Sequence, residues 1–231
     1  MITDYSSFLK ALSEAGFSMG GGNSEGIYAV VPWNWNEAPP YETPVRWHTG
    51  DPDTDPWEWR MRVLDERDDI AYAKVFFRKS GYIMRDWYPL FLRLRRHGKD
   101  FQQTYSEGTI SREAKTIYDL IAQYDALPVH VIKSMAGFGK ESASQFERAL
   151  TDLQMRMFIT MCGRQQKTSL KGEEYGWSST VFCTVGTYFG EGIEEEAMRI
   201  TEASAREQIR ERILLLSPDA PEKRIAKFLG E

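Results

Sequence analysis

Between residues 111 and 157, apolar positions recur at helical spacing in three blocks, each bounded by a cap or a breaker. Ala114, Ile117, Ile121 and Tyr124 line one face of a first predicted helix that opens at Ser111 as N-cap. A short second helix follows Pro128, carries Val131, Ile132 and Met135, and stops at Gly137. A third buries Phe146, Ala149, Leu150, Leu153 and Met157, with Ser144 and Glu147 in capping-box register and Ser142 with Gln145 as the other pair. The period then changes. Residues 158–164 and 180–188 read as strands joined by a polar loop, 165–179, with Gly172 and Gly176 as turn formers.

Helix, turn, helix and then a two-stranded hairpin is the order of a winged helix-turn-helix, whose third helix commonly enters the DNA major groove. Outside it, residues 5–15 form an amphipathic helix ended by Gly16. Gly20-Gly21-Gly22-Asn23 reads as a hairpin connection before a strand-like Ile27-Tyr28-Ala29-Val30-Val31. Residues 62–96 read as helical in two parts, with Ile70, Tyr72, Ala73, Val75, Phe76 and Phe77 as the apolar core of the first and Gly81 as the break. A long helix over 192–216 and a last one over 221–229 close the chain. The expected class is α+β, mainly helical: an N-terminal α/β segment with a Trp-rich loop (1–108), a winged-helix domain (109–190) and a C-terminal helical extension (191–231).

Composition changes this picture in two places. Five of the seven tryptophans, Trp33, Trp35, Trp47, Trp57 and Trp59, fall in the proline- and aspartate-rich stretch 32–60. Disordered segments are poor in aromatics, so this loop packs on something, as a cover over the core or as a pocket stacking a planar ligand such as a base. The net charge of −5 is unevenly spread: −8 over residues 1–73, +6 over 74–115, zero over 116–190 and −3 over 191–231. The basic belt, with Arg93, Arg95, Arg96 and Lys99, suits either a solvated helix end or phosphate contact.

No apolar run approaches the ~18 residues of a membrane span, and the start lacks a signal-peptide pattern, so a cytoplasmic protein without membrane partners is expected. Cys162 and Cys183 fall opposite each other on the predicted hairpin and read as two buried, inert thiols.

Chemistry candidates are sparse. Asp51-Pro52-Asp53-Thr54-Asp55 lacks the glycine and closing glutamate of a calcium loop, and His48, His97 and His130 show no ligand spacing, so no metal or cofactor is expected. Gly137-Phe138-Gly139-Lys140 misses the spacing of a phosphate loop. Glu58 and Asp55, beside the tryptophans, are the catalytic candidates; burial of Glu58 would raise it toward general-acid range, whereas an exposed strand position would not.

Two stretches resemble the AlkZ/YcaQ family of winged-helix DNA glycosylases, and more closely its AlkZ-related branch. One runs from Trp57-Glu58-Trp59-Arg60 through Ala71-Tyr72-Ala73-Lys74 and Gly81-Tyr82-Ile83 to Trp87-Tyr88-Pro89-Leu90-Phe91-Leu92-Arg93-Leu94-Arg95-Arg96; the other is the winged helix itself, residues 111–188. The resemblance implies binding of double-stranded DNA and, in active members, hydrolysis of a damaged base's glycosidic bond by a Gln-hydrophobic-Asp or Gln-x-Gln motif in the N-terminal part. This chain departs there, since no glutamine precedes Gln102. The expectation is therefore a DNA-binding protein without the family chemistry. Two other readings stay open: an active glycosylase using a carboxylate near the tryptophans, and a protein- or ligand-binding module. Groove contact is expected from Ser144, Gln145, Arg148 and Thr151, and phosphate contact from Lys167, Lys171, Arg93, Arg95, Arg96 and Lys99. The C-terminal helix is a candidate homodimer surface.

Overall fold

The computed structural model describes residues 1–21, 26–32, 38–168 and 172–231. Its elements, in order, are α1 (Tyr5–Ala15), β1 (Phe17–Met19), α2 (Pro56–Glu66), β2 (Ile70–Phe76), β3 (Lys79–Met84), α3 (Tyr88–Arg96), α4 (Phe101–Ser106) and α5 (Arg112–Tyr124). They continue with β4 (Ala126–Pro128), α6 (Val129–Met135), α7 (Ala143–Met155), β5 (Ile159–Thr168), β6 (Glu174–Thr184), α8 (Val185–Phe189), α9 (Gly192–Met198), α10 (Glu202–Leu216) and α11 (Glu222–Leu229). The fold is α+β. The described strands form one antiparallel sheet in the order β1-β3-β2-β5-β6-β4, joined at its middle by the pairing of Tyr72 with Met161.

Local chemistry accounts for most boundaries. Asp4 caps α1 by accepting from the Ser7 backbone, and Gly16 ends it in the left-handed region. The Ser111 side chain accepts from the Ala114 N–H at the start of α5, and β4 leads directly into α6. Phe8 and Leu12 of α1, Trp59 of α2, Ile117 and Ile121 of α5, and Phe146 and Leu153 of α7 share one apolar core. A second joins β1–β3 and α3 to the C-terminal helices through Phe17, Phe76, Phe91, Ile209 and Phe228.

Several expectations are corrected. Residues 70–84 form a β-hairpin, not a helix. Its first strand is buried on both faces, so no alternation marks it, and a run of this kind carries no period that separates strand from helix. Its turn is the pair Phe77-Arg78, both at positive φ, which lacks the usual Asn-Gly signal. Gly81 is not a break but an interior strand residue: a Cβ there would sit 2.3 Å from Phe76 and 2.9 Å from the Ser18 carbonyl oxygen.

Trp57, Glu58 and Trp59 lie on a helix, because Asp55 caps it and Pro56 occupies its first turn. Residues 27–31 run beside β1 without forming a strand; the Met19 N–H donates to the Tyr28 carbonyl. Gly22 and Asn23 lie outside the described residues. The long C-terminal helix breaks at residues 199–201, where Thr201 caps α10. At α7, Ser142 is the N-cap, but neither capping box forms. The two hairpin strands extend further into the expected loop, to Thr168 and from Glu174. Cys183 pairs with Thr160, not Cys162, because the strands meet out of the expected register along the whole ladder, with bulges between Met161 and Gly163 and between Gln165 and Lys167. Both thiols are free; Cys183 is buried and Cys162 partly exposed.

A candidate nucleic-acid interface

Two surfaces carry the polar chemistry of the middle of the chain. The first is the N-terminal half of α7. Ser144, Gln145 and Arg148 are exposed there, and among the described residues neither hydrogen bond nor ion pair occupies the Arg148 guanidinium. Lys133 on α6 reaches Glu147 at 3.0 Å. Thr151, one turn further, is only 6% exposed, so it is a core residue and leaves the groove-contacting set.

The second surface is the β5–β6 ribbon. Lys167 lies near its tip; burial, with the Lys167 charge as a smaller contribution, holds His130 below the usual imidazole value. The expected wing residue Lys171 lies outside the described residues. Arg164 projects from the same strand toward α2, with its guanidinium 3.9 Å from both Glu58 and Asp65.

Between the ribbon and α2 lies a cavity of about 430 Å³. Its walls include His48, Trp57, Glu58 and Arg60 on one side and Arg164 and Trp177 on the other. Arg60 stacks its guanidinium 3.3 Å over the Trp57 ring, while the His48 ring lies 4.8 Å from it. Trp177 is 91% exposed. Asp55 positions this wall: its buried carboxylate accepts from the backbone N–H groups of His48, Gly50 and Trp57 at 2.8–3.0 Å. That leaves Asp55 a structural acceptor rather than a free acid. Glu58, with its side chain 32% exposed, is helical and faces Arg164.

The remaining tryptophans divide. Trp59 is fully buried against Phe8, with ring centroids 5.0 Å apart, so it belongs to the core and not to a pocket. The reason is helical: residues two apart point roughly 200° away from each other, so only one of Trp57 and Trp59 can face outward. Trp47 is partly buried against the core. Trp33 and Trp35 lie outside the described residues. Trp177, Arg164, Arg60 and His48 were not anticipated in this cleft; the only signal was a tryptophan amid small polar residues, Gly176-Trp177-Ser178-Ser179.

The basic end of α3 is largely an internal fixture, which corrects the phosphate-contact expectation for Arg95 and Arg96. Arg95 donates to the carbonyls of Val75 and Phe228, and burial pushes its pKa down to about 10. Arg96 pairs with Glu194 at 2.5 Å and donates to the Met157 carbonyl. Arg93 lies 3.9 Å from Glu202, and Lys99 pairs with Glu107 at 2.7 Å. Among the described residues, no group of three or more His, Cys, Asp or Glu side chains is placed to hold a metal, and no helix is long and apolar enough to cross a membrane.

No curated protein and no solved structure matches the chain. A family described as AlkZ related matches residues 2–230. The chain, over essentially its whole length, therefore belongs to the AlkZ-related family.

Proposed function

We propose that this protein binds double-stranded DNA through a winged helix-turn-helix and does not use the glutamine-based chemistry of the glycosylases it resembles. The observation that carries the reading is the connectivity of residues 111–184. Helix α5, strand β4, helices α6 and α7, then the β5–β6 ribbon follow in order, and β4 and β5 flank β6. That order supports the winged-helix reading, and among the described residues the polar face of α7 and much of the ribbon are exposed.

Ser144, Gln145 and Arg148 on α7 would reach base edges, and Lys167 with Lys171 would contact phosphates. Arg93 and Lys99, both ion-paired, remain secondary phosphate contacts in this reading. Membership in the AlkZ-related family supports it. The lack of any glutamine before Gln102 and the committed carboxylate of Asp55 argue against hydrolysis. Functionally, we divide the chain into residues 1–108, the reader 109–190 and the extension 191–231, in a cytoplasmic protein. Leu215, 71% exposed on α10, supports a homodimer through that helix.

Fluorescence anisotropy with a labelled blunt duplex across a salt series tests the central claim. Binding that weakens steeply with salt is expected. Absence of binding even at low ionic strength overturns it.

A further inference from the structure

The α2–ribbon cleft has features that duplex binding by α7 does not use. An exposed indole presents a large apolar face to water at a cost, and two of them, Trp57 at 40% and Trp177 at 91%, border one cavity. The Arg60 guanidinium stacked on Trp57 adds a third flat surface. A volume of about 430 Å³ falls within the range of small-ligand pockets.

The polar groups around these faces suit a nucleotide. Glu58 can accept N–H donors from a base edge, Ser178, whose hydroxyl donates to Gln166, can still accept, and Arg164 can swing to a phosphate from its loose 3.9 Å approach to two carboxylates. A base inside a duplex has both faces covered by its neighbours. Only an unpaired base can lie against these tryptophans.

We propose that this cleft holds an unpaired nucleobase of single-stranded DNA, and that the protein binds a duplex more tightly where a single-stranded tail leaves it. The inference rests on the duplex-binding reading: α7 engages the double-stranded side, and the cleft takes the strand departing along the ribbon that also carries Lys167.

The test measures anisotropy with a blunt duplex, the same duplex bearing a short 5′ or 3′ thymine tail, and the tail alone. It compares the unaltered chain with Trp177→Ala and Trp57→Ala. A tail of either polarity is expected to raise affinity about tenfold, the scale of one base–aromatic stack. Either substitution is expected to remove that gain while leaving blunt-duplex affinity within about twofold. Trp177 is so exposed that its replacement leaves the core intact. Equal affinity for tailed and blunt duplexes, or a gain that survives both substitutions, overturns the cleft assignment alone. Failure to bind any of the three DNAs overturns the duplex reading along with it.

Discussion

Arg96 at the end of α3 and Glu194 on α9 form an ion pair at 2.5 Å, with the arginine side chain 7% exposed. The same guanidinium donates to the Met157 carbonyl and lies 4.5 Å from the centre of the Phe158 ring. Sequence placed this arginine in a basic belt, yet it holds the C-terminal helices to the sheet. Glu194 is half exposed and stays hydrated when its partner is removed, so Arg96→Ala is expected to cost about 1.5–3 kcal/mol in chemical denaturation, the scale of the lost charged hydrogen bond to Met157. Its DNA affinity, measured where the variant is still folded, is expected to be unchanged.

Asp55→Ala tests the support of the tryptophan wall. It strips an acceptor from three backbone N–H groups and removes the cap of α2. A loss of about 3 kcal/mol is expected, since charged hydrogen bonds contribute about 1.5–3 kcal/mol each and part is recovered by water. In a thermal melt this corresponds to a fall of roughly 6–12 °C.

On the proposed DNA-binding surface, Arg148→Ala and Lys167→Ala are expected to differ in kind. The first would cost about 1–3 kcal/mol on a preferred sequence and relax selectivity, whereas the second would weaken all duplexes alike and lower the salt slope by about one. Competition binding at several salt concentrations separates them. Parallel losses with unaltered slopes would show that neither role is correct.

Acid stability follows from Asp69 and Glu196. Hydrogen bonds from Arg67 hold the Asp69 carboxyl below its usual value, and those from Arg85 do the same for Glu196. Depressed carboxylates release protons more readily when folded, so the stability they confer is full above the ordinary carboxylate range. It drains away as pH falls from about 4 through the lowered folded values. Both pairs are partly exposed, which keeps the effect modest. Melting temperature followed from pH 6 to about 2 is expected to fall less steeply below about 4 for Asp69→Asn than for the unaltered chain.

Gly16→Ala is expected to destabilise by about 2–4 kcal/mol. Its φ of +86° lies in the left-handed region, and an added Cβ would stand 2.2 Å from the Trp87 indole nitrogen. A denaturation midpoint close to that of the unaltered chain would mean that Trp87 can move aside.

The helices of residues 111–155 were readable because each bears an apolar stripe with a cap or breaker at its edge, as at Ser111 and Pro128. The β2–β3 hairpin was not, because Ile70–Phe76 is buried on both faces and its Phe77-Arg78 turn uses no glycine. Arginine clustering at Arg93–Arg96 was visible, but not its direction; only the approach of Glu194, about a hundred residues away, turns it inward. The cleft escaped for a related reason: Trp57 and Trp177 are 120 positions apart and meet through tertiary packing alone.

The single pairing of Tyr72 with Met161 gives the sheet a narrow waist between its two halves. Helix α2 leans on strands from both sides of that waist. A few degrees of hinge rotation about it would move the ribbon's tip through the longest arc in the sheet and widen or narrow the gap between the two indoles. The ladder that joins the two halves of the sheet thus also sets the spacing of the proposed base-binding cleft.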